Sequence, residues 1–234
     1  TGVGTHSIFG QQMRFSLGDN TLPLFTTKKV FFRGVVEELL FFIRGERDSN
    51  KLREKGIHIW DGNTSAEFIK KRGLNYQEGD MGPMYGVQWR NFGGTTTGKG
   101  VDQLSNAFDL IKNNPSSRRI LVTAYNPAES ELGVLDPCHM FYQFNVRGDK
   151  LDCLFYMRSN DFFLGNPFNV CQYGLLTHII AKATGLKPGE LIFSGGDVHL
   201  YKNHIEQAKE QITRQPYDFP KINIHKELKS IKDI

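Results

Sequence analysis

Three strand-like runs, 119–125, 140–147 and 150–157, follow one another with no helical pattern between them. A long apolar stretch at helical spacing, 170–184, comes after them and stops at Gly185, with Lys182 in its last turn. Strand runs that cluster, rather than alternate one for one with helices, point to an α+β fold with a mixed sheet and surrounding helices. Residues 5–9 and 12–16 are expected to form a hairpin about Phe9-Gly10. Helical spacing predicts helices over 30–44, 51–55, 66–72, 101–113 and 199–214. A short strand is expected at 190–194 and a late one at 221–226. The segment 79–100 holds seven Gly and one Pro and reads as loop. No Pro- or Ser-rich linker and no internal repeat divides the 234 residues, so one domain over 1–234 is expected.

Composition narrows the function classes. The chain is 39% hydrophobic and 12% aromatic, enough for a sizeable core, and its 23% charged residues exclude global disorder. A net charge of +4 is too mild for a dedicated nucleic-acid binder. No apolar run approaches the roughly 18 residues of a membrane span. Cys138, Cys153 and Cys171 are odd in number and form no C-x-x-C, so neither a disulfide framework nor a structural metal site is expected. A cytoplasmic, or else nuclear, reducing compartment fits. The sequence opens at Thr1-Gly2-Val3-Gly4 without an initiator Met and reads as a fragment.

Several residues could carry chemistry, each with a plainer reading beside it. Cys138, in Asp136-Pro137-Cys138-His139, is either a nucleophile whose thiolate His139 helps to hold or a buried packing cysteine. Arg118-Arg119 and Arg158-Ser159 stand at strand ends, where they suit a phosphate or carboxylate or else form exposed ion pairs. Asn169 stands at the mouth of the long helix. It is a favoured cap there, and its amide could instead read a base edge. His199 and His204 are five apart and do not share a helix face as metal ligands would. Glu38 lies in an apolar helical run, where burial would raise its pKa and fit it for proton transfer. No dinucleotide-binding, P-loop, zinc-protease or serine-hydrolase motif occurs.

These pieces occur together in one family. TGVGTHSIFG, GVVEELLFFIRG, IHIWDGN, GDMGPMYGVQWRNFG, GVDQL, SSRRILVTAYNP, DPCHMFYQF, YMRSNDFFLGNPFNVCQYGLL, ATGLKPGELIF and GGDVHLYKNHIEQ, in that order, resemble thymidylate synthases over essentially the whole chain. The resemblance implies a homodimer packed sheet on sheet and reductive methylation of dUMP to dTMP. The carbon and hydride donor would be 5,10-methylenetetrahydrofolate, leaving as dihydrofolate, with no metal. Cys138 matches the nucleophile, and Arg158 the arginine beside thiolate and phosphate. Arg118 and Arg119 match the pair that reaches the partner subunit's nucleotide, and Ser159 matches a phosphate donor, with Asn160 beside it in the nucleotide site. Asn169 matches the residue pairing with uracil O4 and N3, and His199 and Tyr201 the pair on the deoxyribose hydroxyl. Glu38 matches the proton-relay carboxylate, with His139 and Tyr85 in the polar network around the base. Phe31, Ile59, Trp60, Asn63, Leu164, Gly165 and Phe168 match the folate wall, with Tyr201 at its edge and Asp161 as the pterin acceptor. Trp60 matches the group that shields the exocyclic methylene intermediate from water.

The family's phosphate-binding arginine would lie before Thr1, and its closing tail beyond Ile234. Within the chain, Met157 stands where the family usually has Gln, Asn160 where it has a small residue, Asn166 where it has an apolar one, and Asp136 where it has Pro. Asn160 and Asn166 leave room for a dUMP hydroxymethylase, which would finish with water. Family members that bind their own message make RNA binding a candidate secondary activity.

Overall fold

The computed structural model describes residues 2–234. In chain order its main elements are β1 (Thr5–Ser16), α1 (Phe32–Ile43), α2 (Asn50–Arg53), α3 (Ala66–Lys71), α4 (Tyr85–Asn91), α5 (Gly94–Thr97), α6 (Gln103–Asn113), β2 (Leu121–Thr123), β3 (His139–Arg147), β4 (Lys150–Asp161), α7 (Gly165–Thr184), β5 (Lys187–Tyr201) and α8 (Ile205–Ile212). The strands form one sheet in the order β1-β5-β4-β3-β2. Its neighbours pair antiparallel except β4 and β5, which run parallel on either side of α7. The α+β class with a mixed sheet is as expected.

The core follows from α7, a helix apolar on nearly all faces and so buried all round. It packs on β4 and β5 and takes α1 and α6 against its flanks. Pro167 is tolerated in its first turn, where the missing N–H would have no helical partner. Leu39, Phe42 and Ile43 of α1, Trp89 of α4 and Leu104 of α6 are at most 1% exposed.

Several expectations are corrected. Residues 5–16 make one long strand paired with β5 throughout, with Gly10 at φ 78°, not a hairpin. The glycine-rich segment contains α4, because Gly86 serves close packing rather than a turn. A Cβ there would stand 2.6 Å from the Phe42 carbonyl oxygen, so its absence lets α4 lie against α1. The expected short strand at 190–194 runs from Lys187 to Tyr201. Gly195-Gly196 does not break it, since Gly196 makes room for the Arg158 carbonyl, 3.1 Å from where its Cβ would be. The last helix therefore starts at Ile205, not at His199. Residues 221–226 form a single bridge, Lys221 to Thr21, in place of a strand. The long helix starts at Gly165, so Asn169 lies inside it and does not cap it.

Glu129 ties α4 and the 94–97 turn to the loop that leads to Cys138. Its buried carboxylate accepts from Gln88 Nε2 at 2.7 Å, Thr96 N at 2.7 Å and Thr96 Oγ1 at 2.8 Å. Burial opposes the charge, but the donors from Gln88 and Thr96 outweigh it and hold the pKa below the usual carboxylate value. The stability this gives is complete above the unfolded pKa, about 4.3, and is lost as pH falls through the lower folded value.

Two measurements test these packing arguments. Gly86→Ala should destabilise the fold by roughly 1–3 kcal/mol through overpacking in denaturant unfolding. A gain of about 1 kcal/mol, the helix-propensity expectation, would refute the close approach. Glu129→Gln should cost roughly 2 kcal/mol at pH 7, with the gap to wild type closing as pH drops below the folded carboxyl value. An equal gap at pH 3 and pH 7 would refute the charged reading.

Candidate active site

The start of β3 and the ends of β4 and β5 lie with α1, α4 and α7 packed about them. The pairing of β3 with β4 sets His139 opposite Met157, and a bulge at Met140 breaks the regular register next to Cys138. The Arg158 backbone N–H donates to the Cys138 carbonyl at 2.9 Å. Its guanidinium donates to the carbonyls of Pro137 and Asp136, both at 2.9 Å. Arg158 thus straps the Asp136-Pro137-Cys138 turn to β4 while its charge stays beside the thiol. Tyr85, at the start of α4, accepts the Cys138 N–H on its hydroxyl at 3.0 Å.

Burial dominates the electrostatics here. It pushes the Cys138 thiol up, Arg158 pulls the other way, and Asp136 adds to the rise, so the balance stays above the ordinary thiol value. His139 is buried, and burial drives its pKa down to about 3. It is neutral, stacked on Tyr85 at 3.9 Å, with Nδ1 2.6 Å from the Tyr173 hydroxyl. The expectation that His139 holds the thiolate is corrected on that ground: a neutral ring turned into the core supplies no positive charge.

Glu38 faces the same cleft from α1. Trp60 Nε1 donates to its Oε1 at 2.8 Å, and Gln172 Nε2 to its Oε2 at 2.8 Å. Burial raises its pKa, and these two donors only partly offset the rise. Trp60 also lies 6.2 Å, centroid to centroid, from Tyr85, which joins the carboxylate to the cysteine's surroundings.

The parallel register of β4 and β5 sets Ser159 beside Asp197 and Asp161 beside His199. His199 Nδ1 lies 2.9 Å from Asp197 Oδ1, and its ring meets Tyr201 edge-on at 5.4 Å. Asp161 Oδ1 accepts from Phe163 N and Leu164 N and so turns the chain into α7. Gly165 sits between Asp161 and Asn169: a Cβ on it would meet the Asn169 Oδ1 at 3.5 Å and the Asp161 Cβ at 3.7 Å. The Asn169 amide has no hydrogen-bond partner among the described residues, so it is free to read a ligand.

Phe31, Ile59 and Leu164 are 44–46% exposed, a large apolar exposure on three segments tied to this cleft. Phe31 packs on the first turn of α1, Ile59 precedes Trp60, and Lys28 bonds the Phe163 carbonyl before Leu164. Phe168 is partly buried against the core, and Asn63 closes the Trp60 turn through its backbone N–H. Arg118 and Arg119 are exposed and join no contact with the Cys138 cluster among the described residues.

Met157, Asn160 and Asn166 prove to be one chain of contacts. Asn166 Nδ2 donates to Asn160 Oδ1 at 3.1 Å, and Asn160 Nδ2 lies 3.1 Å from the Met157 sulfur. Both amides are fully buried, so they bind the end of β4 to the first turn of α7 rather than line the cleft. Sequence reasoning missed Gln172 and Tyr173, which were hidden in an apolar helical run. A polar Gln one turn beyond Asn169 was the available signal. Among the described residues no helix is long and apolar enough to cross a membrane, and no cluster of His, Cys, Asp and Glu is arranged to hold a metal ion.

Comparison with known proteins gives the cleft its context. The family model described as thymidylate synthase matches residues 1–234. The "Thymidylate synthase 1/2" of Encephalitozoon cuniculi is 51% identical over 95% of this chain and 78% of its own length. The thymidylate synthase of human herpesvirus 8 is 51% identical over 100% of this chain and 71% of its own. The bifunctional dihydrofolate reductase-thymidylate synthase of Leishmania major is 52% identical, and this chain spans 47% of it. With a family match over its full length and relatives of this closeness, the chain belongs to the thymidylate synthase family of methyltransferases, whose cosubstrate is 5,10-methylenetetrahydrofolate.

Proposed function

We propose that the chain converts dUMP to dTMP by reductive methylation, giving dihydrofolate. The observation that supports this reading is a strapped cysteine joined through Tyr85 and Trp60 to a buried carboxylate, with an Asn amide on α7 that has no partner among the described residues. Uracil C5 is a poor nucleophile. Addition of the Cys138 Sγ to C6 forms a S–C6 bond and moves the ring's electron pair onto C5 and O4, which makes C5 nucleophilic. Later loss of the C5 proton and breaking of the S–C6 bond return the cysteine. When bound, methylenetetrahydrofolate supplies the carbon and the hydride.

The remaining residues bind, orient and exclude water. The Asn169 amide offers both a donor and an acceptor, the pattern that O4 and N3–H of uracil require. His199 and Tyr201 face the sugar hydroxyl. Arg158 and Ser159 hold the phosphate, joined by Arg118 and Arg119 of a second copy, so the working unit is a homodimer. Glu38 moves protons at the base, with Tyr85 and His139 bracing the network around it. Phe31, Ile59, Asn63, Leu164, Gly165 and Phe168 seat the folate rings, and Trp60 keeps water from the reacting carbon. Asn166 Nδ2 donates to Asn160 Oδ1 and Asn160 Nδ2 to the Met157 sulfur, while the buried Asn166 Oδ1 has no partner, so a hydroxymethylase ending is decided by the product formed.

Tritium at C5 of dUMP should be released in the presence of methylenetetrahydrofolate, with dTMP as the product, and Cys138→Ser should abolish release. Hydroxymethyl-dUMP as product would move the assignment to the hydroxymethylase, and no release would refute both. Mixing inactive Cys138→Ser and Arg119→Glu proteins should restore roughly a quarter of wild-type activity, since half the random dimers hold one intact site. Mixtures as inactive as their parents would refute the sharing of arginines.

A further inference from the structure

The two partners of Glu38 differ in what they can offer. Trp60 has an indole N–H and can only donate, whereas the Gln172 amide both donates and accepts. Gln172 is 2% exposed on α7, with Nε2 on the Glu38 Oε2 at 2.8 Å. Its Oε1 is buried with no hydrogen-bond partner. An orphaned buried acceptor is costly and asks for a role. The ionised carboxylate needs donors and the neutral acid needs an acceptor, and Gln172 is the one neighbour bonded to Glu38 that carries both.

Other ionisable groups around Glu38 cannot take that part. The Tyr85 hydroxyl on α4 accepts the Cys138 N–H, the Tyr173 hydroxyl on α7 pairs with His139 Nδ1, and neither is bonded to Glu38. His139 is neutral, Cys138 is bound up with Arg158, and Glu37, the neighbour on α1, pairs with Lys55. Arg158 donates through Nε and Nη2 to the Pro137 and Asp136 carbonyls and has no acceptor to offer a protonated Glu38.

We propose that Gln172 is a positioning residue that sets the protonation of Glu38, donating to Oε2 when the carboxylate is charged and turning its amide over to accept the proton when it is neutral. The catalytic meaning rests on the reading of Glu38 as the proton relay, but the bond itself does not. Glu38 then keeps a partner in both protonation states, and it cycles between them without reorganising the cleft.

Trp60 is bonded to the same carboxylate, so its fluorescence reports the titration in ligand-free protein once the other tryptophan is removed by Trp89→Phe. In that background Glu38→Gln should abolish the transition, which identifies it. Gln172→Met, close in shape but lacking both the N–H and the amide oxygen, should move the midpoint up by about one pH unit, because the hydrogen bond lost to the charged carboxylate is worth about twice the one lost to the neutral acid. The acid limb of the kcat profile should move with it, while KM for dUMP stays within about twofold. Gln172→Glu, still able to share a proton, should retain a transition displaced further upward by like charge. An unmoved midpoint in Gln172→Met, with its unfolding curve intact, would overturn the proposal. A shifted midpoint in a protein that releases no tritium would leave this bond standing and overturn the functional reading instead.

Discussion

The parallel pairing of β4 with β5 is the constraint on which the site depends. Parallel neighbours cannot be joined by a tight turn, so the chain must cross over, and α7 is that crossover. One register therefore fixes three things together. Arg158, Ser159 and Asp161 leave the end of β4. Asp197, His199 and Tyr201 stand beside them on β5. Asn169 arrives on the first turns of the helix between. A slip of one residue would turn His199 and Asp161 to opposite faces. Burial of α7 on nearly all sides is what makes such a slip expensive.

That burial also sets the chemistry. The same apolar surroundings push Glu38 and Cys138 toward their neutral forms and hold His139 neutral. Each group answers to a different partner. Glu38 has two hydrogen-bond donors, Cys138 has the charge of Arg158, and His139 has only a tyrosine hydroxyl and a ring to stack on. Charge in this cleft is thus conditional. It develops where a donor or cation has been placed, and His139 contributes shape instead.

Much of this was legible in the sequence, and the failures share a cause. The α+β class, the clustered strands and the long helix were readable because apolar periodicity records burial. Gly86 and Gly196 were misread because glycine carries two meanings, a turn or a close approach, and only the neighbouring backbone decides between them. Phe42 decides it at Gly86 and Arg158 at Gly196. In the site, Cys138, Arg158 and Glu38 were individually ambiguous, and their resemblance as an ordered set named them. Gln172 was not named, because a hydrogen bond between residues 134 apart leaves no trace in local pattern.

The thiol bears on the proposed dimer. In one chain, burial and Asp136 outweigh Arg158, so the thiolate is disfavoured at the position where a nucleophile is proposed. A neutral His139 does not correct this, and the charge of Arg158 favours the thiolate without outweighing burial. Further positive charge near the thiol would favour the thiolate. Arg118 and Arg119 are exposed, adjacent and pair with no carboxylate among the described residues, which leaves their charge unspent. β1 presents Ile8 and Phe9 at 56% and 85% exposure, a surface a lone copy leaves in water. Burying that surface against a second copy would remove the exposed apolar area, and on our proposal the same event brings Arg118 and Arg119 to the phosphate held beside Arg158.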